Sequence, residues 1–273
     1  MAHLSSGGSF VREGALVAIA RLGGLPVAVH LHGSDFPIFA ARWPKLVGAV
    51  LRLAAKVYVL TGETEDVVRA TLPASAGDRV VKVVNGVATP DRMTAKERLV
   101  VFAGEVGTRK GADILLSAWL LVHQENPAWN LIVAGPVERE LRTYAAHPSI
   151  KMLGAIPRDE VQEWLSRASI AVLPSRHEAL PMFLLESMAH GCAVVATAVG
   201  EVKELLEGCG VIVSVEDREG LGSALNSLIQ APDTVGRMGA AARIRIDERY
   251  SAAAVTRLFE HEWQILLESA GGA

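Results

Sequence analysis

The stretch Ile170-Ala-Val-Leu-Pro174-Ser-Arg-His-Glu178-Ala-Leu-Pro181-Met-Phe-Leu-Leu-Glu186-Ser-Met-Ala-His-Gly191-Cys-Ala-Val-Val-Ala-Thr197 decides the fold class. It opens on a short apolar run and passes through a polar loop. A segment beginning at Pro181 and stopping at Gly191 follows, and a second apolar run closes it. Proline at the first helical position and glycine just past the end are helix punctuation. The short runs do not alternate in polarity, as befits strands buried on both faces. The unit is therefore strand, loop, helix, strand.

The same pattern repeats outward in both directions. Strand candidates are Pro26–Leu31, Lys56–Leu60, Val80–Val84, Leu99–Ala103, Asn130–Ala134, Ile150–Leu153, Ile170–Leu173, Ala193–Thr197 and Val211–Val213. Helical spacing appears in Lys110–Gln124, Glu160–Arg167, Pro181–His190 and Ser251–Glu268. Strand–helix alternation along a whole chain means α/β architecture with parallel sheets. The run Asn85–Lys96 carries turn signals without periodicity and is expected to link two domains. Residues 96–250 then hold six strand candidates, enough for a doubly wound unit, whereas residues 1–95 hold three.

Composition narrows the function classes. The 273 residues carry 27 Lys and Arg against 30 Asp and Glu, a net charge of −3. That balance speaks against a dedicated nucleic-acid binder. Residues 1–95 are mildly basic, with ten Lys or Arg and seven Asp or Glu, which leaves peripheral contact with an anionic membrane surface open. Two cysteines, Cys192 and Cys209, form no disulfide framework or zinc spacing and read as buried apolar residues of a protein in a reducing cytoplasm. Neither a membrane-spanning run nor a signal peptide is recognisable, and the ligand patterns indicate no metal site.

Three strand ends carry candidate chemistry. After Pro174, Glu178 sits in the loop, Glu186 lies on the following helix among apolar neighbours, and the free N–H groups around Leu180–Phe183 suit a phosphate. The turn Gly104-Glu-Val-Gly-Thr-Arg109-Lys110-Gly111 lets the backbone approach a ligand and adds two cations. It is neither a P-loop nor the dinucleotide fingerprint. The run Val29-His-Leu-His32-Gly33-Ser34-Asp35 ends a third strand, with His30 expected in the core and His32 in a cleft. No G-x-S-x-G elbow is present.

Taken together, these stretches resemble the family 4 glycosyltransferases, retaining enzymes of the GT-B fold. The marks are His32-Gly33-Ser34-Asp35, Asn85-Gly86-Val87, Phe102-Ala-Gly104 with Lys110-Gly111, Val133-Ala-Gly135, the Glu178/Glu186 pair, Pro174-Ser175 and Gly200-Glu-Val-Lys-Glu204. The resemblance implies two Rossmann-like doubly wound parallel-sheet domains. One is an acceptor-side domain at 1–95, which looks incomplete. The other is a donor domain at 96–250, and a helix at 251–273 returns to the first domain. It implies a nucleotide-diphosphate sugar as donor and a glycan or lipid-linked acceptor in cell-surface polysaccharide synthesis. No metal or other cofactor is implied. Glu186 would hold the ribose, and Arg109 and Lys110 the diphosphate. Glu178 would contact the transferred sugar with Gly104 and the backbone at Leu180, Pro181 and Met182, and His32 would reach the sugar from the first domain. The family usually has arginine where this chain has Glu105. The short front suggests an alternative: an inactive nucleotide-sugar-binding remnant, or a half-enzyme needing a partner chain. On that view Val27, Val29 and Val80–Val84 would lie near solvent, and the chain as written would transfer little sugar.

Overall fold

The protein, in a computed structural model, is described over residues 1–33 and 35–271, so Ser34 of the His-Gly-Ser-Asp run lies outside the described residues. The chain forms two compact units, Met1–Asn85 with Val255–Ala273, and Gly86–Ala254. The division falls at Asn85/Gly86, so the turn-rich residues 86–95 go with the second unit and not with the first, where the sequence reading had put them.

In the first unit, β1 (Ala2–Leu4), β2 (Ala28–Leu31), β3 (Lys56–Val59) and β4 (Val80–Lys82) pair in parallel in that spatial order. Between them run α1 (Gly8–Leu22), α2 (Phe36–Arg42), α3 (Pro44–Leu53) and α4 (Gly62–Thr71). The sequence reading has three strands here. It lacks β1, because three residues before a Ser-Gly turn are too few to show a period. Their place is set by pairing: Ala2, His3 and Leu4 lie in register with Val29, His30 and Leu31.

The expected exposure is wrong for four of these valines: Val29, Val27 and Val80 are buried in a core with Leu4, Phe10, Phe36 and Leu51, and Val83 is buried too, whereas Val81 and Val84 are half-buried. The reason is that β1 and the helices cover them. Exposed apolar side chains in this unit include Val11, Leu16, Ile19 and Leu22 of α1, Ile38 of α2, and Leu25 and Trp43 between helices and strands.

The second unit holds β5 (Glu97–Ala103), β6 (Asn130–Ala134), β7 (Ile150–Gly154), β8 (Ala168–Leu173), β9 (Ala193–Thr197) and β10 (Val211–Val213). Its helices are α5 (Ala112–Glu125), α6 (Arg158–Arg167), α7 (Met182–Ala189), α8 (Val202–Leu206), α9 (Arg218–Ile229) and α10 (Pro232–Arg245). The parallel sheet runs in the order β10-β9-β8-β5-β6-β7. The chain thus starts at the centre with β5, winds outward to β7, returns to β8 on the other side and winds outward again. The reversal between β5 and β8 is a topological switch point, the place where open parallel sheets bind ligands at their carboxyl ends. Every residue of β8 and β9 is buried, which accounts for their unbroken apolar runs.

The last helix, α11 (Ala252–Gly271), enters the first unit from Val255 onward. Its Phe259 packs edge-on to Tyr58 of β3 at 5.1 Å between ring centroids. Beside it, Lys56 Nζ donates to Glu262 Oε2 at 2.8 Å, with both side chains almost buried. The charged pair therefore ties the final helix to a central strand. Removing one partner strands a charge in an apolar setting, which costs about 3–5 kcal/mol. Glu262→Ala is expected to lower unfolding free energy by that order in urea titrations. The double change Lys56→Met/Glu262→Leu should lose much less; an equal loss would mean that packing, not charge, holds the helix.

Candidate functional site

At the carboxyl end of β5 the chain turns through Gly104–Gly111. A short turn, Thr108–Lys110, is followed by Gly111 in the left-handed region at φ 68° and then by α5. Lys110 therefore stands before the helix and not within it, where the sequence reading had placed it. At the carboxyl end of β8 the chain runs through Pro174–Pro181 into α7, with Pro181 extended at the cap, one residue before the first helical position. Because β5 and β8 are neighbours in the sheet, their following loops are neighbours too.

The two loops are stitched together. The Arg176 N–H donates to the Arg109 carbonyl at 3.0 Å. Gly111 packs so close to Pro174 that an added Cβ would lie 1.9 Å from the Pro174 carbonyl oxygen. Lys110 Nζ donates to Glu178 Oε1 at 2.5 Å, and Ser175 Oγ donates to the same oxygen at 2.8 Å. Both members of the ion pair are largely buried.

A third strand end braces the second loop. Thr197 Oγ1, at the end of β9, donates to the Ser175 carbonyl at 2.5 Å. Gly200 follows at φ 52°, where a Cβ would meet the carbonyl oxygens of Glu178 and Ala179 at 2.3 and 2.4 Å.

The remaining nominated charges are also paired. Glu186 sits on α7, where residues Phe183–Ala189 are all buried. It is 9% exposed, so it is no ordinary surface carboxylate. Its partner is Arg158 at the start of α6, which donates through Nε and Nη2 at 3.0 and 2.5 Å from a mostly exposed side chain. Arg109 turns to Glu105, donating through Nη2 at 2.9 Å. The glutamate at the usual arginine position is therefore neutralised by the neighbouring cation.

Leu180 and Pro181 bury their side chains, while Met182 is half-buried. The α7 N–H groups of Met182 and Phe183 belong to the first turn, which has no intrahelical acceptors. Gly104 is held by its N–H to the Ala134 carbonyl at 2.9 Å.

The structure thus brings Glu178 and Lys110 into contact, sets Glu186 with Arg158 on the helix that follows, and leaves Arg109 at the rim with Glu105. His32 belongs to the first unit, where it follows β2 beside His3 and His30. Burial lowers the pKa of His32, with His3 a smaller contribution, and pushes His30 down to about 3.

Two arginines escaped the sequence reading. Arg158 carried no motif. Arg176 stood in the quoted stretch without a role, yet it donates to both carboxylate oxygens of Asp113, at 2.8 and 2.9 Å, to Glu216, and to the Thr108 carbonyl. It locks the β8 loop to the starts of α5 and α9, and those hydrogen bonds raise its pKa further. Its partners are 63 and 40 residues away in the chain, so spacing holds no trace of them. A hollow lined by Lys96, Trp129, Ser169 and Val235 lies at the opposite, amino end of the same strands.

A six-stranded sheet with its switch point between two stitched, charged loops has the place where open parallel sheets bind ligands. Residues 97–231 match the family described as Glycosyl transferases group 1. The second unit carries a group 1 glycosyltransferase domain. Among curated relatives, alpha-maltose-1-phosphate synthase of Mycolicibacterium smegmatis is 30% identical over 239 residues, 74% of this chain and 61% of the relative. D-inositol 3-phosphate glycosyltransferase 1 of Catenulispora acidiphila is 29% identical over 265 residues, 81% of this chain and 62% of that one. The chain therefore spans about three fifths of the length of these relatives. Among solved structures, Anabaena HepE in complex with UDP superposes with a TM-score of 0.81 at 16% identity, covering 96% of this chain and 78% of that one. Sucrose-phosphate synthase from Thermosynechococcus elongatus gives 0.78 at 19%, covering 98% and 73%. The structural likeness shows a shared GT-B fold for this α/β chain. No helix among the described residues is long and apolar enough to cross a membrane.

The group 1 domain depends on the Gly200 contact to hold its Glu178 loop. Gly200→Ala is expected to displace that loop, because the added methyl meets two carbonyl oxygens and the left-handed backbone is strained. Stability should fall by about 1–3 kcal/mol in thermal unfolding. A Gly208→Ala control, where φ is 72° but no atom lies within 4 Å of the new Cβ, carries only the backbone cost.

Proposed function

We propose that this chain moves a sugar, with retention of anomeric configuration, from a nucleotide-diphosphate sugar to a glycan or lipid-linked acceptor in cell-surface polysaccharide assembly. The observation that carries the reading is the buried Lys110–Glu178 pair at the switch point of the group 1 domain. Supporting it, a relative named as a lipopolysaccharide core mannosyltransferase, from Rhizobium leguminosarum, is 30% identical over 147 residues, 49% of this chain and 41% of that protein. The neighbour HepE is described in complexes with UDP and with UDP-glucose.

The chemistry follows from the charges. Breaking the bond between sugar and diphosphate leaves negative charge on the outer phosphate. Lys110, Arg109 and the first-turn N–H groups of α7 are cationic or dipolar donors gathered at the switch point, and such donors stabilise that charge. In this structure each cation rests on a carboxylate. The donor would replace those carboxylates: phosphate takes Lys110 from Glu178 and Arg109 from Glu105, and ribose hydroxyls take Glu186 from Arg158. Glu178, released from its cation, then accepts hydrogen bonds from the transferred sugar. The acceptor hydroxyl attacks from the face the diphosphate leaves, its oxygen bonding to the sugar carbon as the carbon–phosphate-oxygen bond breaks, and its proton passes to the departing diphosphate oxygen.

Calorimetry with UDP, GDP and ADP in the presence of EDTA is expected to show binding of at least one nucleotide. Lys110→Ala should weaken it by about 1.5–3 kcal/mol, the range of a hydrogen bond to a charged group. Failure of all three nucleotides to bind would remove the reading.

The two glutamates should fail differently. Glu186→Ala weakens nucleotide binding, since ribose contacts act in ground and transition states alike. Glu178→Ala leaves nucleotide affinity unchanged or tighter, because it frees Lys110, while sugar transfer is lost. Variants that lost only thermal stability, with binding and transfer intact, would reduce both residues to structural roles.

A further inference from the structure

In a strand, residues two apart share a face. His30 of β2 and His32, one residue past its end where the pairing continues, therefore project to the same side. In a parallel pair, residues in register share a face as well, and His3 of β1 is in register with His30. The ladder continues past β2, with the His32 N–H donating to the Leu4 carbonyl at 2.7 Å. Backbone pairing alone thus gathers three imidazoles that stand up to 29 residues apart in the chain.

Their rings converge. The centroids of His30 and His32 lie 4.1 Å apart, those of His3 and His32 5.0 Å, and those of His3 and His30 5.6 Å. His3 Nδ1 is 2.8 Å from His32 Nε2. One ring nitrogen from each residue lies within 4.8 Å of the other two. His30 is 4% exposed, and its Nε2 has no hydrogen-bond partner. A buried polar nitrogen without a partner calls for an explanation. The Tyr58 and Phe259 rings, at 6.3 and 6.2 Å from His30, wall it with aromatic edges and supply no carboxylate.

We propose that His3, His30 and His32 form a binding site for a divalent transition-metal ion of borderline softness, Zn2+ foremost, through three imidazole nitrogens with one further position open to water.

Imidazole suits zinc, copper, nickel and cobalt, whereas magnesium and calcium demand oxygen ligands. Zn–N bonds of about 2.0–2.1 Å place tetrahedral nitrogens roughly 3.3 Å apart. The His3–His32 contact opens by about half an ångström, and the His30 nitrogen moves inward to meet the ion. His3 is exposed and His32 half-buried, so the ion enters from the solvent side. Burial holds His30 and His32 as neutral imidazoles, the form that ligates metal. The site lies wholly within the first unit, and it shares His32 with the sugar contact that the family resemblance implies. A bound ion would take up the His32 nitrogen.

The test uses the untagged chain, stripped with EDTA and dialysed, then titrated near neutral pH with ZnCl2 by calorimetry and with CoCl2 by visible absorption. The expected result is one Zn2+ per chain, with intense Co2+ bands of a four-coordinate nitrogen site and no competition from MgCl2. His3→Ala, on an exposed edge, should weaken Zn2+ by at least about tenfold and abolish the Co2+ bands. The double change His123→Ala/His147→Ala, at the other close histidine pair (5.2 Å between centroids), should leave both signals unchanged. Weak, non-saturating Zn2+ binding, a six-coordinate Co2+ spectrum, or Zn2+ affinity insensitive to His3→Ala would each overturn the proposal. Because His3 is not in the core, its loss of binding is separable from loss of folding, which circular dichroism of the same variant reports.

Discussion

Parallel strand pairing is the constraint on which the rest of this protein depends. Parallel neighbours cannot be joined by tight hairpins, so each strand must be followed by a crossover. All strands of a sheet then point the same way, and all the loops that leave their carboxyl ends gather along one edge. In the second unit that edge carries Gly104–Gly111 after β5, Pro174–Pro181 after β8 and Gly200 after β9. The winding order places the first two side by side. Hydrogen bonding to the sheet occupies the strands themselves, so chemistry is left to these loops and to the helix ends behind them.

Charge at this edge is arranged in pairs of unequal burial. Lys110 and Glu178 are both sheltered, Glu186 is buried while Arg158 reaches into solvent, and Arg109 with Glu105 is open on both sides. A sheltered ion pair gains little net stability, because desolvation offsets attraction. The pairing also accounts for the departure at residue 105. Left alone, a glutamate at this turn would be an unpaired negative charge, but Arg109, four residues on, holds it at 2.9 Å. Arg176 has the complementary role: bound to Asp113, Glu216 and a carbonyl, it fixes loop geometry and has little freedom to do more.

The first unit applies the same pairing rule to a different set of side chains. Its four strands with their covering helices bury Val27, Val29, Val80 and Val83, which a three-strand reading leaves bare. The edge strand β1 does two things at once. It covers Val29 and its neighbours, and it brings His3 to the His-x-His end of β2. The Lys56–Glu262 pair anchors the final helix against the central strand.

Much of this could be read from residues in order. Continuous apolar runs identified all of the longer strands. Gly111, Gly191 and Pro181 marked turns and helix ends to within two residues, and Glu178, Glu186 and Lys110 stood out as charges at strand ends. These are local properties, dictated by side-chain burial and by φ preferences over a few neighbouring residues. The sequence alone also determined the α/β class and the resemblance to glycosyltransferases. Only the tertiary structure decided which charge meets which. The partners Lys110–Glu178, Arg158–Glu186, Arg176–Asp113 and His3–His32 are 68, 28, 63 and 29 residues apart. Sheet order brings them together, and sheet order is set by how whole crossovers pack and not by any short pattern. The strand β1 was invisible for the same reason: three residues have no period of their own, and their conformation is imposed by the strand they pair with.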